Sequence, residues 1–154
     1  MGKKEINGLS QSIFESYSSQ LLQVSKNIDQ DIQSAAELII NNSGKVVVCG
    51  LGKSGLIGQK IVATLCSTGT RSVYMHAAEA IHGDLGIYNP GDPTILISKS
   101  GNTEELVRLI PILKEFQSPL IAIVGNMDSF IAKNSDIVLN LSLIHISEPT
   151  RPLH

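Results

Sequence analysis

From about Ser10 to Asn42 apolar residues recur at helical spacing: Ile13, Phe14, Tyr17, Leu21, Val24, Ile28, Ile32, Ala35, Leu38 and Ile39, with Gly44 following as a stop signal. The pattern predicts one long amphipathic helix, bent or straight, as an amino-terminal element over residues 1–42. The period then changes. Val46-Val47-Val48-Cys49 is a short continuous apolar run, followed by a glycine-rich turn and by a helical pattern from Ile57 to Leu65. Strand, loop and helix are expected in that order.

The unit recurs. Ser72-Val73-Tyr74-Met75 and Thr94-Ile95-Leu96-Ile97 read as strands, and Leu106 to Phe116 as a helix that carries Pro111 and a possible kink. Leu120-Ile121-Ala122-Ile123-Val124 and Ile137-Val138-Leu139 complete the set. Short runs that are apolar without alternation, mostly separated by helical segments, indicate a parallel sheet buried on both faces. With right-handed crossovers the fold class is α/β, a doubly wound five-stranded parallel sheet.

Composition narrows the picture. At 154 residues, 42% hydrophobic and 17% charged, the chain suits one packed core rather than two ordinary domains. A formal net charge of -2 gives no electrostatic footprint for nucleic acid or an anionic membrane. An anionic ligand would have to be held by local backbone geometry. Cys49 and Cys66 sit in apolar runs without metal or disulfide spacing and read as core thiols of a cytoplasmic protein. No apolar segment is long enough for a signal peptide or a membrane span, so neither export nor insertion is expected.

The carboxyl end departs from the pattern. Leu141 to His154 lacks a clean helical period, carries Pro149 and Pro152, and supplies no helix to cover the last strand. It resembles the translation of a transposon-type sequencing-library adapter. The expectation is a non-native tail over 141–154, with native sequence stopping near Asn140.

Candidate chemistry lies in the turns. Gly50-Leu51-Gly52-Lys53-Ser54-Gly55 follows the first strand and opens a helix. It matches G-x-G-x-x-G, but no acid ends the second strand to hold a ribose, and a Walker A loop would need glycine where Val47 stands. What remains is a helix amino terminus with N–H groups and the Ser54 hydroxyl, which suits an anion. Lys53 at the positive end of that helix is unfavourable by about 0.3–1 kcal/mol unless something negative compensates it. A second loop, Ser98-Lys99-Ser100-Gly101-Asn102-Thr103, leads into Glu104-Glu105. Its hydroxyls, amide and glycine at a strand-to-helix junction suit phosphate oxygens. The plainer alternative is capping, with Asn102 as N-cap and Glu105 at the third helical position. His76, Glu79, His82 and Asp84 fall within nine positions, but their spacing fits no helical metal pair.

Together Gly50-Leu-Gly-Lys-Ser-Gly55, His76-Ala-Ala-Glu-Ala-Ile-His-Gly-Asp-Leu-Gly86 and Ser98-Lys-Ser-Gly-Asn-Thr-Glu-Glu105 resemble the SIS (sugar isomerase) domains of the bacterial arabinose-5-phosphate isomerase family. The resemblance runs from about Ser43 to Asn140. It implies a flavodoxin-like sheet of order 2-1-3-4-5 with both anion loops at the topological switch point. Carried over, Gly52, Ser54, Ser98, Ser100, Gly101, Asn102 and Thr103 would hold the substrate phosphate, and Lys53, His82 and Glu105 would be catalytic. Asn102 replaces a commonly acidic position.

The family also continues past the fifth strand into a further glutamate, a closing helix and a later histidine, and many members add CBS domains. None of these is found in this chain, so an incomplete SIS domain over 43–140, lacking its carboxyl-terminal helix and without turnover, is expected. The implied function is interconversion of D-ribulose 5-phosphate and D-arabinose 5-phosphate for the eight-carbon acid sugar of lipopolysaccharide or capsule. The implied partners are a phosphosugar, with no nucleic acid and no membrane, and further copies of the chain, a tetramer in the family. No organic cofactor and no metal are implied. The rival reading is a phosphosugar-binding regulatory module.

Overall fold

The computed structural model describes residues 2–26 and 30–141. Of the tail expected over 141–154, residues 142–154 lie outside the described residues. Over the amino-terminal helical pattern the structure describes α1 (Lys3–Lys26) and α2 (Gln30–Ile40), with residues 27–29 outside the described residues. The chain divides into two compact units, with α1 in the first and residues 29–141 in the second. Helix α2 belongs with the sheet and packs against its last strand, residues 137–140. Within α1, the side chains of Gln11 and Glu15 (2.8 Å) and of Gln20 and Ser16 (3.2 Å) pair one turn apart.

After α2 come β1 (Val46–Gly50), α3 (Gly52–Ser67), β2 (Ser72–His76), α4 (Ala77–Ala80), a 3-10 turn (Asp84–Ile87), β3 (Thr94–Ser98), α5 (Glu104–Glu115), β4 (Leu120–Val124), α6 (Phe130–Lys133) and β5 (Ile137–Asn140). The strands form one sheet in the order β2-β1-β3-β4-β5. Every pairing is parallel, with Val48 opposite Tyr74 and Ile95, and Ile97 opposite Ile123. This is the order expected from the resemblance.

Side chains alternate between the two faces of each strand, and both faces of the central strands are apolar, which is why those runs read as continuous. Val46, Val48, Ile95, Ile97 and Ile121 pack with Ala35 of α2 and with Ile61, Val62 and Leu65 of α3. Val47, Cys49, Leu96, Ala122 and Val124 pack on the other face with Ala77 and Ala80 of α4, Leu106, Leu109, Ile110 and Leu113 of α5, and Ile131 of α6. Helices cover both faces, as a doubly wound sheet requires. Edge strand β5 is half-buried, with Ile137 and Leu139 on the α2 side and Val138 on the other.

Helix α5 runs through Pro111 as one element. A proline inside a helix costs about 3 kcal/mol. Each of the four fully buried side chains of α5 contributes about 1.5–3 kcal/mol, so tertiary packing outweighs the local cost. Burial pushes the Cys49 thiol up to about 12, against a backbone hydrogen bond at Gly50 that lowers it. Cys66 is exposed rather than core, with its sulfur 3.2 Å from the Ser72 hydroxyl.

Below β1, the amino ends of the strands are joined by Asp92, which is buried although charged. Its carboxylate accepts from Lys45 Nζ (2.5 Å), the Lys45 backbone N–H (3.1 Å) and the Asn89 backbone N–H (2.8 Å). A Cβ on Gly44 would occupy the position of Asp92 Oδ1. Gly44 thus serves close packing as well as ending the helical pattern.

Candidate functional site

The two glycine and hydroxyl loops leave the carboxyl ends of β1 and β3, which are hydrogen-bonded neighbours in the middle of the sheet. The order reverses there, with β2 outside β1 on one side and β4 outside β3 on the other, so the loops flank a topological switch point. Open grooves lined by Glu37, Asn42 and Pro93, and by Lys45, Cys66 and Arg71, lie at the amino ends of the strands, opposite both loops.

The first loop turns on Gly52, whose φ of +56° is the left-handed conformation that favours glycine. The N-cap of α3 is Leu51, whose side chain makes no capping bond. Its first-turn N–H groups therefore point outward without a side-chain acceptor. The rest of the motif packs downward: a Cβ on Gly55 would stand 2.5 Å from the Tyr74 hydroxyl, which donates to the Gly50 carbonyl at 2.9 Å. Lys53 is exposed and Ser54 half-buried at the top of the loop, and neither has a side-chain partner among the described residues.

The second loop turns on Gly101, with φ +67°. Ser98 is buried, its hydroxyl 2.7 Å from that of Thr103 and accepting from the Gly101 N–H at 3.0 Å. These two hydroxyls brace the loop from inside. Ser100 is exposed, and its hydroxyl accepts from the Asn102 N–H at 3.2 Å. The capping alternative for this loop is corrected: the N-cap of α5 is Thr103, without a side-chain cap, and Asn102 lies one residue earlier. By contrast Ser129, at the start of the short helix α6, accepts from the Ala132 N–H at 3.3 Å. Helices α3 and α5, the two that follow the glycine and hydroxyl loops, both begin without a side-chain cap.

Glu105, in the first turn of α5, is half-buried and has no hydrogen bond or ion pair among the described residues. Its neighbour Glu104 points out to Arg108 one turn on. His82 is exposed and lies two residues past α4, which packs against α5. The β2–α4 segment is thereby carried over to the helix that bears Glu105. His76 ends β2 opposite Gly50, 6.5 Å edge-on from Tyr74, and its Nδ1 is buried without a partner. Among the described residues no three His, Cys, Asp or Glu side chains come together as a metal site. No described helix is long and apolar enough to cross a membrane.

The sequence did not single out the β4–α6 connection, residues 125–129. It buttresses the second loop: the Gly125 N–H donates to the Lys99 carbonyl, and the Ile131 N–H to the Gly101 carbonyl, both at 3.0 Å. Ser129 before Phe-Ile-Ala-Lys is a recognisable N-cap signal, but its contact with Gly101 is not a local feature.

Comparison with known proteins places this geometry. The chain is 48% identical over 136 residues to the arabinose 5-phosphate isomerase KpsF of Escherichia coli O6:H1, covering 88% of this chain and 41% of the relative. It is 47% identical over 119 residues to the arabinose 5-phosphate isomerase KdsD of Salmonella typhi, covering 77% and 36%. The chain thus spans about two fifths of the length of these curated relatives. A solved E. coli CFT073 protein, c3406 in complex with arabinose 5-phosphate, superposes with a TM-score of 0.85 at 33% identity, covering 91% of this chain and 74% of that one. The SIS domain model matches residues 39–147, which include both loops and all five strands, and the chain belongs to the SIS-domain family.

Proposed function

We propose that this chain is the phosphosugar-holding module of an aldose–ketose isomerase that interconverts D-ribulose 5-phosphate and D-arabinose 5-phosphate, a step toward the eight-carbon acid sugar of lipopolysaccharide or capsule. One observation carries the reading. Two helices without side-chain caps start from glycine and hydroxyl loops on adjacent central strands, in a chain whose net charge of -2 supplies no general attraction for anions. The relatives named arabinose 5-phosphate isomerase and the neighbour solved with arabinose 5-phosphate support the choice of sugar.

In this reading Ser54, Ser100 and the first-turn N–H groups of α3 and α5 hold the phosphate. Ser98 and Thr103 shape the second loop, and Gly52 and Gly101 let the two loops turn. Glu105 takes the proton from C2 of the open-chain aldose and returns it to C1 of the enediol. Lys53 and His82 donate to the carbonyl oxygen as charge develops on it and assist ring opening. The reading also carries a cytoplasmic homo-oligomer that needs no organic cofactor.

Calorimetry with arabinose 5-phosphate and with arabinose tests the pocket, and conversion to ribulose 5-phosphate tests the chemistry. Turnover is followed in this chain and in one continued past Asn140 with the downstream sequence of the KpsF relative. Binding of the phosphosugar alone, with turnover in the continued chain, is expected. Equal affinity for both sugars removes the phosphate site, and tight binding without turnover in either chain favours a regulatory module.

A further inference from the structure

Asn102 is exposed in the second loop, yet its side chain is engaged at both ends. Oδ1 accepts from the Phe130 N–H at 2.9 Å, and Nδ2 lies 3.4 Å from the Ser100 carbonyl. Phe130 is the first residue of α6, 28 positions along the chain. Beside this bond run the two backbone bonds from Gly125 to Lys99 and from Ile131 to Gly101. A Cβ on Gly101 would overlap Ser129, and one on Gly125 would stand 2.8 Å from the Lys99 carbonyl, so the two segments are in close contact along their length.

We infer that Asn102 is a positioning residue, which holds the second loop in its ligand-ready shape by tying it to the start of α6, and does not itself contact the phosphate. The inference rests on the phosphate-site reading. The loop turns through a left-handed glycine and presents short donors, so a displacement of about 1 Å is enough to misplace them. The backbone bonds at Lys99 and Gly101 fix the two strands of the contact, while the Asn102 carbonyl fixes the position next to Ser100 and the α5 amino terminus.

The test compares Asn102→Ala with Asn102→Asp in the 154-residue chain. Asp keeps an acceptor at the Oδ1 position, loses the Nδ2 donor and adds a negative charge that salt screens. Amide hydrogen exchange at Phe130 is read by NMR in the ligand-free chain, and arabinose 5-phosphate affinity is measured at high salt. Protection of the Phe130 amide should survive in Asn102→Asp and fall by about fivefold to tenfold in Asn102→Ala. Affinity should follow the same order, near wild type for Asp and about tenfold weaker for Ala. Equal losses of affinity in both variants at high salt would mean that Nδ2 touches the ligand, overturning the inference. Unchanged Phe130 exchange in Asn102→Ala would remove the tie itself. If the unaltered chain binds neither arabinose 5-phosphate nor inorganic phosphate, the phosphate reading fails and the claim of ligand positioning fails with it. The exchange pattern still decides the tie to α6.

Discussion

The Tyr74 hydroxyl and the carbonyl of Gly50 are joined by a 2.9 Å hydrogen bond that ties the end of β1 to the edge strand beneath the first glycine loop. Gly55 leaves room for it, since a Cβ there would stand 2.5 Å from the same hydroxyl. Gly55→Ala should therefore destabilise the domain by about 1–3 kcal/mol through overpacking. In a Tyr74→Phe background the clashing atom is gone, so the second substitution should cost measurably less. Thermal or urea unfolding of the four proteins in the cycle checks this, and additive losses would contradict it.

In the proposed function the second loop divides its hydroxyls between ligand and scaffold. Ser100→Ala should remove a donor to a charged oxygen, worth about 1.5–3 kcal/mol, and lower phosphosugar affinity about tenfold to a hundredfold without changing stability. Ser98→Ala breaks the part-buried pair with Thr103 and the buried bond from Gly101, so it should lower the unfolding free energy by about 1–3 kcal/mol as well. Titration calorimetry paired with unfolding on both variants separates the two roles.

Glu105→Gln, made in the chain continued past Asn140, should lower kcat by about 10²–10⁴-fold while arabinose 5-phosphate still binds. Steady-state kinetics and calorimetry on the same preparation measure both. A kcat near that of the unaltered protein would remove Glu105 from the base role.

Asp92 makes the fold sensitive to acid. Burial works to raise its carboxyl, but the Lys45 ammonium bond, the Asn89 and Lys45 N–H groups and the Lys45 charge outweigh burial and hold it below the usual carboxylate range. A depressed folded-state value stabilises the native state above the unfolded value of about 3.9, and that stability is lost as pH falls through the folded value. Asp92→Asn should be less stable than the unaltered chain at pH 7 by about 1.5–3 kcal/mol. The difference should shrink as pH is taken below 4. A constant difference across that range would show that the charge is not what stabilises this corner.

The fold class was legible because the central strands had to be apolar on both faces, and five short runs separated by helical periods have few other solutions. Their limits were read to within a residue, for example Thr94–Ile97 against the observed Thr94–Ser98. The loops were legible because glycine and hydroxyl chemistry is local, and the left-handed Gly52 and Gly101 are where their motifs place them. The division of labour within the loops was not. Which serine faces inward depends on the pairing of Ser98 with Thr103, and Asn102 finds its partner 28 residues away at Phe130. The same holds for Gly44, whose helix-stop signal is local while its need for space comes from Asp92, 48 positions on. The sequence by itself determined periodicity, turn chemistry and strand number, because these are properties of neighbouring residues. Only the tertiary structure decided which polar groups hold the protein together and which are left for a ligand, because hydrogen-bond partners are set by the packing of segments distant in the chain.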